Sequence, residues 1–386
     1  MTLSWLAPLL VLGLVVFVHE LGHFLAAKWA GVYAPRFSLG WGAPLWSMRR
    51  GETEYALSWL PIGGYVRMAS KEDETAAALE GGGESGAVER SRHWDERSMI
   101  PHGPHAIPAD RWFESKTLVQ RLVILLAGVT MNVVLAVLVS TGLIATYGRG
   151  YVPPVVDSVV AGKPAALAGL RPGDRVVAID GRAVTRWDEV YDGVSVAAGR
   201  AVALRVVRGP DTMAVSVTPQ EEAVVAATGE TRRVGRIGVA VRQDVAREPV
   251  GVGVALAEGW RGTWAMAGNV VTVLGNLVTG KVSVSQLGGP LEIARSSVAA
   301  ARSGAETLWG LIAFLSINLA VLNLLPIPLM DGGQILLQIA ETAYRRPLPL
   351  VVKEWYAKVG LAVIVTLFVL VTFNDVKRIV GGWLGA

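Results

Sequence analysis

The chain contains no cysteine. That excludes disulfides, thiolate metal sites and a cysteine nucleophile, and it leaves the redox compartment open. Charge is also scarce. Asp, Glu, Lys and Arg make up 18% of the 386 residues against 52% hydrophobic, and the mean hydropathy is +0.43. Those values sit on the apolar side for a soluble enzyme and direct the search to membrane spans. No dense Lys/Arg patch with interleaved aromatics is present and the net charge is only +4, so no nucleic acid is expected as a partner. The N-terminal apolar run lacks a basic segment ahead of it, because the first Lys or Arg is Lys28. A cleaved signal peptide carries such a segment, so the run is expected to be a retained membrane helix.

Four stretches are expected to cross a bilayer: residues 1–30, 118–147, 304–333 and 355–378. Within the second, residues 122–146 carry no charge and are long enough to span ~30 Å of hydrocarbon. Within the third, residues 307–330 are also uncharged, but Pro326 and Pro328 must break or end the helix. The fourth has only the uncharged stretch 359–374, completed by Trp355, Tyr356, Lys358, Lys377 and Arg378 as interfacial anchors. A fifth stretch, 263–280, is interrupted by Asn, Gly and Thr and reads as interfacial or as part of a folded domain.

The segments between these spans differ in kind. Residues 31–69 read as short strands, "RFSLGWG", "PLWSMRR", "TEYALSWL" and "PIGGYVRM", which must pair with one another because an open edge in hydrocarbon is costly. Residues 70–117 are charged and Gly-rich over most of their length and are expected to form a flexible cytoplasmic loop; its His102 and His105 read as solvated rather than metal-binding. Residues 150–220 alternate Val/Ile runs with Gly-Asp and Asp-Gly turns, the mark of a small strand-rich domain. From Ala165 to Gly181 they follow A-x-x-A-G-L-x-x-G-D-x-V-x-x-I-x-G, which resembles a PDZ domain; such domains bind extended peptides by strand addition, and a ligand-free spacer is the alternative. Residues 221–303 form a post-PDZ region.

The chemistry lies in "VFVHELGHFLAA", residues 16–27. His19 and His23 are four apart and share one helix face, where two imidazoles can hold one Zn2+, and Glu20 beside them can take a proton from a metal-bound water. Ionisable residues inside an apolar span are expensive, so the trio reads as functional. A catalytic zinc usually takes three protein ligands and leaves one position open. Phe24 to Ala30 supply no third histidine. Glu52 and Glu54 are possible ligands; Asp331 is the better candidate, in "NLLPIPLMDGG" at the end of an apolar run. Four spans also return Asp331 to the side of the membrane that holds the histidines, whereas a fifth span at 263–280 would not. Arg345, Arg346, Lys353 and Lys358 in the last connection support that orientation by the positive-inside rule, and the Lys377–Arg378 pair speaks mildly against it.

With "HELGH", "PIGGYVRM", "FESKTLVQR", one PDZ-like unit, "VTGKVSVSQLGGPLEIA" and "NLLPIPLMDGG" in this order, the chain resembles the site-2 proteases. These are intramembrane zinc metalloproteases, and the likeness is to their bacterial regulator-of-sigma-E-protease branch. The resemblance implies an α-helical polytopic membrane protein of about four transmembrane helices, with a membrane-associated β-hairpin region and one inserted PDZ-like β-rich domain. It implies Zn2+ held by His19, His23 and Asp331, with Glu20 as general base and Asn323 on the substrate backbone or the oxyanion. Asn132, Gly63 and Gly64 are expected to contact substrate, and the segment 255–300 to form amphipathic helices at the membrane surface. The expected activity is site-2 cleavage in regulated intramembrane proteolysis of single-span proteins, such as an anti-sigma-factor remnant already trimmed by a site-1 protease, or a leftover signal peptide. The expected place is the bacterial cytoplasmic membrane, in contact with the lipid bilayer, with the PDZ-like domain on the extracytoplasmic side. A non-catalytic PDZ scaffold with a structural metal is the alternative. The chain departs from the family pattern at "AGVTMN", where Val129 stands in place of the usual proline, and it has one PDZ-like unit where several relatives have two.

Overall fold

Leu, Val and Ala dominate residues 7–29, and Pro8 lies in the first turn, where its missing N–H has no helical partner to lose. These residues form α1 (Ala7–Trp29) in the computed structural model, which describes residues 3–70, 107–225, 231–241, 244–283, 285 and 287–384. The helix stops at Gly31, whose φ of +72° glycine adopts freely, and the Val32 amide turns back to the Ala27 carbonyl at 2.8 Å. Most of the loop expected over 70–117, with His102 and His105, lies outside the described residues.

β1 (Arg36–Arg50) and β2 (Thr53–Arg67) follow. Glycines in left-handed conformation at 40, 42 and 63 break the pair into four short runs. Arg36–Leu39 lies between Glu54–Leu57 and Gly64–Arg67, while Trp46–Arg50 closes a hairpin with Thr53–Leu57. Among the described residues Gly64–Arg67 has a strand partner on one side only, so it is an edge. Phe37 and Tyr55 pack this sheet against Phe17 and Phe24 of α1. The hairpin turn is tied down by Glu52, which pairs with both Nη atoms of Arg111 at 2.6 and 2.8 Å and with Lys28 near the end of α1.

Thr117 and Gln120 cap the next helix reciprocally: the Gln120 amide donates to Thr117 Oγ1 and the Thr117 amide to Gln120 Oε1. This is α2 (Leu118–Tyr147). It crosses α1 where Gly22 meets Ala127 and Gly128, so closely that a Cβ on Gly22 would collide with the Ala127 carbonyl.

The chain divides into two compact units, Met1–Ser140 with Gly259–Ala386, and Thr141–Glu258. The second unit contains β3 (Arg149–Tyr151), β4 (Val156–Val159), α3 (Pro164–Leu167), β5 (Arg175–Ile179), β6 (Arg182–Ala183) and α4 (Trp187–Ser195). It continues with β7 (Val202–Arg208), β8 (Asp211–Val217), β9 (Gln220–Val225), β10 (Thr231–Arg236), β11 (Val239–Val241) and β12 (Ala246–Glu248). A four-stranded sheet in the order β6-β5-β7-β8 is joined by the pairs β4·β11, β9·β10 and β3·β12. One apolar core that includes Val176, Val190, Leu204 and Val206 fills it. The Gly-Asp turn ahead of β5 exists for a reason beyond chain reversal. Asp174 is fully buried and accepts Arg208 Nε and Nη2 at 2.7 Å each and the Arg171 amide at 2.8 Å. That pairing holds its carboxyl below the ordinary carboxylate range, the Arg208 hydrogen bonds outweighing the opposing effect of burial.

The helical unit resumes with α5 (Val252–Val278), α6 (Pro290–Ser303), α7 (Ala305–Leu324), α8 (Asp331–Tyr344) and α9 (Leu350–Leu384). Among the described residues four helical segments are long and apolar enough to cross a membrane, Ser4–Trp29, Leu118–Tyr147, Ala305–Leu324 and Val351–Val380, with mean hydropathies of 2.0, 2.8, 1.8 and 2.2. α5 places Met266 and Ala267 in one cluster with Val129 of α2 and Ile317 of α7, while Trp260 and Trp264 stay exposed. α6 is capped from a distance: Asp375 of α9 accepts the amides of Gly289, Leu291 and Glu292 at 3.0–3.1 Å. Arg378 one turn on donates to the carbonyls of Ser285 (2.8 Å) and Leu287 (2.5 Å). The proline pair ends α7 at Leu324. The chain then turns through Leu329, held at φ +71°, and restarts as α8 with Asp331 as its first residue.

Candidate metal centre

Three elements far apart in sequence meet at one point. α1 brings His19 and His23, both buried, with their Nε2 atoms 3.1 Å apart. The start of α8 brings Asp331, whose Oδ2 is 3.3 Å from His19 Nε2 and whose Oδ1 is 3.5 Å from His23 Nε2. Gly332 and Gly333 make that approach possible, since a Cβ on either would strike the carbonyls of Leu324, Leu325 or Ile327. Among the described residues these three form the group of His, Cys, Asp and Glu able to hold one metal ion, their ligand atoms all lying within 4.8 Å of one another.

The spacing fits zinc. Bonds of about 2.0–2.2 Å in a tetrahedron put neighbouring ligand atoms about 3.3–3.6 Å apart; the two Nε2 atoms are 3.1 Å apart, and each has one oxygen of Asp331 near it, Oδ2 at 3.3 Å from His19 and Oδ1 at 3.5 Å from His23. The local chemistry agrees. Asp331 Oδ2 is buried and makes no hydrogen bond despite its nearness to His19, and the Nε2 atoms of two imidazoles face each other. A cation held by His19, His23 and Asp331 would satisfy these atoms. The other ring nitrogen of His23, Nδ1, lies 2.8 Å from the Ile124 carbonyl, which as an acceptor fixes the proton on Nδ1 and leaves Nε2 as the ligand atom. Three such ligands would leave a fourth position open, the arrangement of catalytic rather than structural zinc.

Glu20, next to His19 on the chain, interacts electrostatically with both histidines and with Asp331. Its Oε2 accepts the Val66 amide at 3.1 Å. That amide belongs to the edge run Gly64–Arg67, and Gly64 packs so near that a Cβ there would press on Glu20 Cγ and the Ser38 carbonyl. Gly63 sits beside it at φ +84°. Asn323, near the end of α7, places Nδ2 3.0 Å from His19 Nε2. Asn132 of α2 is fully buried and contacts the far nitrogen of the same ring, Nδ1, at 3.3 Å. Glu52 and Glu54 do not join the group: the first is engaged by Lys28 and Arg111, and the second lies 3.9 Å from Arg36.

Other contributors were not singled out from the sequence. Gly128 is one, because a Cβ there would collide with His23 Nε2 and His19 Cε1. Its signal was present in the "AG" of "AGVTMN". The Val66 amide and the Ile124 carbonyl had no signal, since every residue but proline offers the same backbone groups.

Comparison with known proteins points the same way. Residues 7–367 match the model of peptidase family M50. Zinc metalloprotease RasP of Geobacillus kaustophilus is 32% identical over 97% of this chain and 98% of its own length. Atu1380 of Agrobacterium fabrum is 33% identical over 97% and 95%, and metalloprotease MmpA of Caulobacter vibrioides 31% identical over 96% and 94%. A solved PDZ domain of an SdrC-like protein from Listeria monocytogenes is similar over 25% of this chain and 88% of that one, at 25% identity and a TM-score of 0.18, too low to carry a fold assignment.

Proposed function

The chain belongs to peptidase family M50 and is an intramembrane zinc metalloprotease of the site-2 type, and from that premise we propose that His19, His23 and Asp331 hold its zinc, that Glu20 is the general base and that Asn323 meets the oxyanion. The observation that carries this reading is the convergence of three ligand atoms within 4.8 Å, beside a carboxylate, against a helix apolar enough to cross a membrane.

Bound zinc supplies Lewis acidity, which acidifies water and polarises a carbonyl. Glu20 takes the proton of the attacking water and delivers it to the leaving amine. The Val66 amide keeps the Glu20 carboxylate facing the cluster. Asn323 Nδ2, within hydrogen-bonding range of a ligand nitrogen, is placed to donate to the charge that develops on the scissile carbonyl oxygen. A peptide bond inside a helix is shielded by its own hydrogen bond and by neighbouring side chains, so the substrate must be extended before it is cut. The edge run Gly64–Arg67, next to Glu20 and paired on one side only among the described residues, offers backbone groups for such a strand.

The substrate is a membrane-embedded protein, and in this reading a single-span one: the remnant of an anti-sigma factor trimmed by a site-1 protease, or a leftover signal peptide. The enzyme lies in the bacterial cytoplasmic membrane with four crossings, at 1–30, 118–147, 304–333 and 355–378. The β-runs of 31–69 dip towards the bilayer, the unit around 150–220 is a PDZ-like peptide-binding domain on the extracytoplasmic side, and 221–303 links it to the third crossing.

Glu20→Gln tests the mechanism. The purified variant should keep its zinc and lose cleavage of a single-span reporter by about 10²–10⁴-fold. Cleavage at the wild-type rate would remove Glu20 from the mechanism. Cleavage that persists after a zinc chelator would sink the metal route as a whole.

A further inference from the structure

We propose that Asn132 is a positioning residue for the metal: its carboxamide oxygen accepts the Nδ1 proton of His19 and locks the ring in the tautomer that offers Nε2 to zinc. The proposal rests on His19 being a zinc ligand.

Asn132 lies in the middle of α2, an uncharged helix from residue 122 onward, with no exposed surface. An amide buried there is costly unless its polar atoms are used. Complete burial also removes it from any surface a substrate could touch, so the contact that explains it is the one to His19. A neutral imidazole that gives its Nε2 lone pair to a metal carries its proton on Nδ1 and needs an acceptor there. The Asn132 amide nitrogen lies 3.3 Å from that atom while its Oδ1 is buried without a partner. Facing a protonated Nδ1, the nitrogen would set donor against donor. A half-turn of the carboxamide exchanges nitrogen and oxygen with no other movement, and it gives the proton an acceptor and the oxygen a partner.

The rest of α2 supports this reading. Ser316 of α7 donates to the Asn132 carbonyl at 2.9 Å, which anchors that turn of the helix. Ile124, Gly128 and Asn132 follow one another at four-residue spacing along one stripe. The first gives its carbonyl to His23 Nδ1, the second removes its side chain from the ligand atoms, and the third meets His19 Nδ1. One face of α2 thus orients both histidines of α1.

The test is apparent Zn2+ affinity of the purified full-length protein in detergent, by competition with a chromophoric chelator, for wild type, Asn132→Leu, Asn132→Asp and His19→Ala. Leu, similar in size but without an acceptor, should weaken zinc binding by about 10–100-fold, the usual effect of losing a ligand's hydrogen-bond partner. Asp keeps an acceptor and should bind within a few-fold of wild type. With Co2+ in place of zinc, the Asp variant should shift the visible absorption bands, because a charged acceptor changes the donor strength of His19. Wild-type affinity in the Leu variant overturns the proposal. So does equal weakening in both variants, or a Co2+ spectrum of the Asp variant identical to wild type; either outcome marks Asn132 as a packing residue, and the Co2+ reading serves even if the Leu variant does not fold. Zinc retained by His19→Ala would instead show that the ligand assignment had failed, and the proposal with it.

Discussion

In the unit Thr141–Glu258 the fully buried carboxylate Asp174 has both oxygens matched by Arg208 and the Arg171 amide. In the helical unit Asp331 Oδ2 is buried with no hydrogen bond. The first arrangement is complete in itself: it pins a turn, and the apolar core around Leu204 and Val206 does the rest of the folding. The second is incomplete without something else. Burial in an apolar helix bundle makes an open polar valence expensive, and this one faces the imidazole nitrogens of His19 and His23, where a bound cation would fill it. The same type of residue is structural in one unit and chemical in the other, and what separates them is whether the fold itself supplies every partner.

The comparison can be broken from either side. The largest effect is expected from Asp331→Ala, which removes one of three ligands: zinc content of the purified protein should fall from about one per chain to well under half. Unchanged stoichiometry would mean that Asp331 is merely a buried acid. Next comes Gly128→Ala, which replaces no ligand yet brings a methyl group onto His23 Nε2. Zinc affinity should drop by about tenfold or more even though Ala is the better helix former by about 1 kcal/mol. A normal affinity would show that α2 can move away and that the close crossing is not needed.

The smallest effect belongs to the other unit. Asp174→Ala should lower the stability of Thr141–Glu258 by about 2–3 kcal/mol, since Arg208 keeps access to water. It should leave zinc content unchanged; hydrogen exchange over residues 170–208 of the full-length protein reads the first and metal analysis the second. Acid should mimic the substitution. The Asp174 pKa is depressed in the fold, so its stabilisation is present above the unfolded carboxylate value of about 3.9 and is lost as pH falls below it. Amide protection in this unit should therefore weaken below about pH 4 in the wild type, and much less in Asp174→Ala. Equal acid sensitivity in both would show that the Asp174–Arg208 pair is not the titrating element.

Some of the chemistry was legible before any fold was known, and the reasons differ from residue to residue. His19, Glu20 and His23 could be read because helical periodicity alone puts two imidazoles on one face, and because ionisable groups stand out in an apolar run. Asp331 could be preferred over Glu52 and Glu54 by its place after an apolar run and by counting spans, but its approach to the histidines could not be seen. Hairpin pairing with Lys28 and Arg111 removed Glu52, and the turn at Leu329–Gly333 carried Asp331 to the histidines. Arg378, which spoke against the expected orientation when treated as a free charge, is engaged by the Ser285 and Leu287 carbonyls. A charge recruited by backbone acceptors says little about which side of a membrane it faces.

The sequence by itself determined the apolar helices, the candidate metal-binding pair and its neighbouring carboxylate, because those depend on period, composition and local spacing. Only the tertiary structure shows that Asp331 lies beside both histidines, that Val66 holds Glu20, and that one stripe of α2 meets both rings. Those facts depend on contacts between residues 46 to more than 300 positions apart. Several of them run through backbone atoms or through the missing side chain of a glycine, which no pattern of residue types can announce.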